Sequence, residues 1–116
     1  MTIFHLAIAC ITVHELDAIR CKEWRIFPLL SRLQDKNGFI IFTLLHIPLF
    51  YWVFNQMQGE NIEFRLLFDA FLIIHLGLHL ILRKHAKNEF RDWFSWLIII
   101  AAAFFGALDL SIYMIG

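Results

Sequence analysis

The sequence predicts an all-α fold: a four-helix transmembrane bundle forming one domain over residues 1–116, with both termini on the outer side. Three observations carry this reading. First, 60% of the 116 residues are hydrophobic and only 17% are charged, against about a quarter charged in an ordinary soluble domain. With a mean hydropathy of +0.68, so small a chain cannot hide its apolar surface in one core. Second, the charged residues cluster and separate four apolar runs. Third, Lys and Arg concentrate in the first and third connections between those runs. A soluble globule, a disordered tail and a basic nucleic-acid-binding domain are excluded. Ten basic and ten acidic residues cancel, so charge implies no nucleic-acid partner.

The first run extends from Ile3 to about Ile19, the second from Phe39 to Phe54, the third from Leu66 to Leu82 and the fourth from Trp93 to Ile115. A span needs about 20 mostly apolar residues, with about 17 tolerated. The fourth is clearest, carrying no charge between Leu97 and Leu108. The first is weakest, because His14, Glu15 and Asp17 sit in its last turns. It lacks the basic n-region and long h-region of a cleaved signal, and is expected to stay as a mature helix. Lys36-Asn37-Gly38 reads as a turn into the second helix, and Gln58-Gly59-Glu60-Asn61 as a turn before the third. Asn61 and Asn88 are candidate N-caps. Pro48 removes a helical N–H and should kink the second helix.

Arg20, Lys22, Arg25, Arg32 and Lys36 border or fill the first connection, and Arg83, Lys84, Lys87 and Arg91 the third; Arg65 alone flanks the second. The positive-inside rule puts the first and third connections in the cytoplasm. Trp24, Trp93 and Trp96 then fall near the inner boundary, and Tyr51, Trp52 and Tyr113 near the outer one. The mixed basic and apolar segment from Cys21 to Leu33 is expected to lie flat on the inner leaflet. Cys10 and Cys21 make no disulfide framework.

Ionisable groups inside spans are costly and mark function by default. At about 1.5 Å per residue, His14 lies roughly 9 Å into the membrane from Arg20, and His46 roughly 12 Å from Gly38. Counting back from Arg83, His79 lies roughly 6 Å and His75 roughly 12 Å in. Three helices therefore bring histidines to one level of the cytoplasmic half. His75 and His79 are one turn apart on one face and can reach a single ion. Asp17 shares a stripe with His14, and Glu15 is rotated about 100° from it. The expected metal ligands are His14, Asp17, His46, His75 and His79, a donor set suited to zinc or iron. Glu15 is the candidate catalytic base. Taken singly, each of these histidines is more often a helix-packing group than a ligand; their convergence is what argues for a site. His5, Asp69 and Asp109 form a weaker group in the outer half, where interhelical hydrogen bonding is the leading reading. His85, in the third connection, is expected to be solvated.

The layout resembles the HXXEE-domain family of small bacterial integral membrane proteins. His75-Leu76-Gly77-Leu78-His79 matches the HxxxH of that family's third helix. His14-Glu15-Leu16-Asp17-Ala18 departs from HxxEE, with Asp17 for the first Glu and Ala18 for the second. The family's middle motif places an Asn one turn before a His; here Phe42 stands before His46. The resemblance implies a metal site in a bacterial inner (plasma) membrane protein, and the missing acid favours one ion over two.

Four functions are compatible with these residues. One is an intramembrane metalloenzyme acting on a lipid-soluble substrate. The second is a b-type haem electron carrier, with His46 and His75 or His79 as axial ligands. The third is a transporter using the polar residues as a proton relay; no inverted repeat supports it. The fourth is an accessory subunit whose histidines pack helices. A site-2 protease is disfavoured because Ala18 stands where its second histidine would be. Membrane lipids are the expected partners, with a homo-oligomer or a larger complex open.

Overall fold

The computed structural model describes residues 2–116. Four long helices account for most of them: α1 (Thr2–Arg20), α2 (Asp35–Gln56), α3 (Ile62–Leu82) and α4 (Trp93–Ile115). α2, α3 and α4 are each long and apolar enough to cross a membrane. α1 has the length but carries Glu15, Asp17 and Arg20 in its last two turns.

Local chemistry sets the helix ends. Asn61 caps α3, its side-chain oxygen accepting from the Phe64 N–H at 3.0 Å, as a good N-cap does. Asp92, not Asn88, caps α4 and accepts from the Ser95 N–H at 2.9 Å. Asn88 instead ties the turn before it, donating to the Arg83 carbonyl at 2.9 Å and accepting from the Phe90 N–H at 3.1 Å. Lys36, Asn37 and Gly38, expected as a turn, form the start of α2. Asp35 in that first turn complements the helix dipole, and α2 continues through Pro48 to Gln56.

The first connection is more structured than its composition suggested. Lys22 adopts a left-handed conformation (φ 52°), which ends α1 and reverses the chain. Two short 3-10 turns follow, at Glu23–Arg25 and Leu30–Arg32. Trp24, expected at the membrane boundary, is instead buried among Phe39, Phe42 and Gly38. A Cβ on Gly38 would lie 2.5 Å from the Trp24 ring, so the indole occupies the space the glycine leaves.

α4 is the spine. It packs along α1 on one side and α3 on the other, through the buried small residues Ala102, Ala103 and Gly106. Small residues let helix backbones approach closely, and at Gly106 a Cβ would meet Leu72 at 3.1 Å. α2 differs: its backbone runs close to the two 3-10 turns but stands off from the other three helices. Leu44, Ile47, Phe54, Ile74, Ile81, Phe104 and Ile115 are all more than half exposed. An apolar exterior on this scale is what a bilayer-facing surface requires.

Candidate metal centre

Two helices and one 3-10 turn meet where α1 ends. His14 points from α1 toward α3, whose His75 and His79 lie one turn apart. The three rings touch edge to face, with centroids 4.6 Å (His14–His75), 5.0 Å (His14–His79) and 4.5 Å (His75–His79) apart. Phe90 closes the group against His14 and His79. The chain reversal at Lys22 brings Glu23 back, its Oε1 3.7 Å from His79 Nε2. One potential ligand atom from each of His14, Glu23, His75 and His79 lies within 4.8 Å of the others.

The hydrogen bonding of this cluster is incomplete. His14 is fully buried, yet among the described residues neither ring nitrogen has a partner, and the same holds for His75 Nδ1. Each orphaned buried polar atom costs about 1–3 kcal/mol. Donors around a tetrahedral zinc, at about 2.0–2.1 Å from it, sit about 3.4 Å apart. His75 Nε2 and His79 Nε2, at 3.2 Å, and Glu23 with His79, at 3.7 Å, are already near that spacing. Burial, together with the charge of Glu15, pushes the Glu23 carboxyl up to about 8. Three imidazoles and a carboxylate suit zinc or iron. Calcium and magnesium, which take oxygen ligands, do not fit.

The chain belongs to a family of unknown function (DUF6713), whose family model matches residues 1–115. No curated protein and no solved structure matches it.

The structure gathers His14, His75 and His79 from the expected ligand set and adds Glu23. It places the other two elsewhere. Asp17 faces α4: Arg20 Nε donates to it at 2.7 Å and the Ser95 hydroxyl at 2.5 Å, while Arg20 also donates to Ser95 and Asp92. That knot fastens the end of α1 to the start of α4. His46 pairs with Glu15. Its Nδ1–H donates to the Phe42 carbonyl at 2.7 Å, and its Nε2 lies 2.5 Å from Glu15 Oε2. A carbonyl can only accept, so Nδ1 carries a proton. Nε2 then faces the Glu15 carboxyl, so the ring ties α2 to α1. With both ring nitrogens engaged, His46 has none free for a haem iron.

Glu23 escaped the sequence reading because it lies beyond the first span, in a connection read as a basic surface segment. The signal was present: Glu23 is the one acid between Arg20 and Arg32.

Both Glu15 and His46 line a cavity of about 410 Å³ that also touches Glu23, His75 and His79. The rest of its wall is apolar, including Phe27, Leu30, Leu45, Leu78 and Leu82. In the other half of the molecule, Arg65 clamps Asp109 in a two-point ion pair at 2.6 and 2.7 Å. Asp69 is fully buried beside Asp109. His5 is exposed. His85 is half-buried and accepts from the Lys87 N–H at 3.1 Å.

Proposed function

We propose that this is an integral membrane protein that binds one zinc or iron ion through His14, His75, His79 and Glu23 and uses it on a lipid-soluble substrate. The observation that carries the reading is the cluster of four ligand-type side chains in which both His14 ring nitrogens and His75 Nδ1 have no hydrogen-bond partner among the described residues. A cation would satisfy one nitrogen of each histidine, His14 included, and Glu23, giving up its proton to the ion's field, would supply the negative charge that a buried ion needs. The resemblance of the His14 and His75–His79 elements to the HXXEE-domain layout points the same way.

The bound ion would supply Lewis acidity. Glu15 and His46 open into the same cavity and pair with each other, so Glu15 acts as base or acid on a group presented there, with His46 orienting it. Four protein donors also describe a closed site; the shared cavity and the Glu15–His46 pair favour the catalytic reading over a purely structural ion.

We read α1 as a fourth span. At 19 residues it is about 29 Å long, close to the roughly 30 Å of a hydrocarbon core. Its acidic groups are partnered, Glu15 by His46 and Asp17 by Arg20 and Ser95. Four spans put both termini on the outer side and the two basic connections in the cytoplasm, with the bacterial inner membrane as the location.

The test is metal analysis of detergent-purified protein beside the His75→Ala/His79→Ala variant. Near-stoichiometric zinc or iron in the wild type, lost in the variant, is the expected result. A folded wild type that takes up neither ion after metal loading would overturn the proposal.

A further inference from the structure

The cavity beside the metal centre continues. A second cavity, of about 430 Å³, lies between α2 and α3 further from the cluster, walled by Trp52, Val53, Phe64, Leu67 and Phe68. The two share Leu49 and Phe71, so they form one crevice between α2 and α3. On α3 it runs from Phe64 to Leu82, about 27 Å at helical rise. That is nearly the full thickness of a bilayer's hydrocarbon core.

Its chemistry changes along its length. The middle is entirely apolar. One end carries Gln56, Asn61 and Glu63; the other carries Glu15, His46, Glu23, His75 and His79. It exists because α2 is held by the 3-10 turns and not by close packing on the bundle. In water such an apolar slot would collapse or aggregate. In a bilayer, an unfilled gap forfeits dispersion contacts on both walls, and the material at hand to fill it is the acyl chain of a lipid, which lies in the same direction and from one leaflet reaches about half of the crevice's length.

We propose that the α2–α3 crevice seats one acyl chain of a membrane phospholipid lengthwise, and that this delivers the lipid's polar group to Glu15, His46 and the metal cluster. The substrate class is thus a long-chain acyl lipid. The seating of the chain stands on the crevice alone; its delivery to a metal rests on the function proposed above.

The test uses the full chain reconstituted into phosphatidylethanolamine–phosphatidylglycerol vesicles containing a little phospholipid with a diazirine midway along one acyl chain. After illumination, adducts are mapped by mass spectrometry. The expected result is labelling of crevice residues such as Leu49, Val53 and Phe71 several-fold above the exposed α4 residues Leu97, Ile100 and Phe104. Leu49→Trp, at the waist, should cut crevice labelling several-fold, whereas Ile47→Trp, outside the crevice lining, should not. Labelling in proportion to exposure on every helix would overturn the proposal. So would labelling of every face except the crevice, which would mean that a second copy covers it. Should Leu49→Trp fail to fold, the wild-type ratio of crevice to α4 labelling decides. The His75→Ala/His79→Ala variant separates the two proposals: crevice labelling that persists without metal binding in either protein sinks the metal function and leaves the lipid site standing.

Discussion

Replacing His14 by Leu should stabilise the metal-free protein, against the usual direction for a buried substitution. His14 is completely buried and neither of its ring nitrogens finds a partner among the described residues. Leaving a polar atom unsatisfied costs about 1–3 kcal/mol. Taking the low end for each of two atoms, because an unfolded chain in detergent also keeps these groups partly desolvated, gives about 2 kcal/mol recovered by an apolar side chain. Packing against Phe90, His75 and His79 is largely kept, since Leu is branched and of similar bulk. Metal reverses the order. A ligand at 100 times its dissociation constant adds about 2.7 kcal/mol to the native state, and the wild type gains this in full while His14→Leu, with one donor fewer, gains little. The assay is thermal unfolding in detergent, with chelator and with excess zinc. Two results together refute the reasoning: a His14→Leu variant less stable than wild type in chelator, and a wild type that zinc does not shift. Those nitrogens would then be satisfied in some way this geometry does not contain, and His14 would be a packing residue.

Four further outcomes follow from the same structure. Glu15→Leu and His46→Leu should each destabilise more than the double substitution, because each single change strands one partner of a partly buried pair; a double-mutant cycle should give a coupling of about 1–3 kcal/mol, and additivity would show that the pair is not formed. Arg65→Leu should cost about 3–5 kcal/mol, since it strands Asp109 beside buried Asp69, and adding Asp109→Asn should recover much of that loss in a chemical-denaturation series. Gly38→Ala should cost about 1–3 kcal/mol, as the new Cβ would lie 2.5 Å from the buried Trp24 ring; a melting temperature equal to wild type would show that the indole moves freely. The Ser95 N–H and hydroxyl and Arg20 hold the Asp92 carboxyl below its ordinary value of 3.8, so its stabilisation of α4 is complete above that pH and is lost as pH falls through the depressed value. Asp92→Asn should flatten this part of the acid-stability profile.

The depth estimate for His14, His75 and His79 needed only helical rise and the position of the nearest charges, and the three rings do meet. The pair on α3 was the most readable part, because two residues four apart on one helix share a face in any fold. His46 satisfied the same depth argument, yet it pairs with Glu15. Depth says nothing of how a helix is rotated or how far it stands from its neighbours. Asp17 shared the His14 stripe, but Arg20, three residues on, and Ser95 of α4 hold it; a local cation one turn away competes for any acid on a helix. Glu23 was invisible to periodicity because it belongs to no long helix.

Composition and spacing alone give the all-helical fold, the approximate helix ends, the HxxxH pair and four apolar runs, of which three form helices long and apolar enough to cross a membrane. These rest on composition, on backbone hydrogen bonding within a helix and on spacing along one element, which are local properties. Packing between elements sets which ligand-type side chains meet, the Glu15–His46 pair and the crevice. Each depends on where a chain reversal at one left-handed residue sends Glu23, and on how far α2 stands from α3. Those are distances between elements, and they follow from packing: Gly106 against Leu72 and Trp24 in the space beside Gly38 set how the helices approach one another.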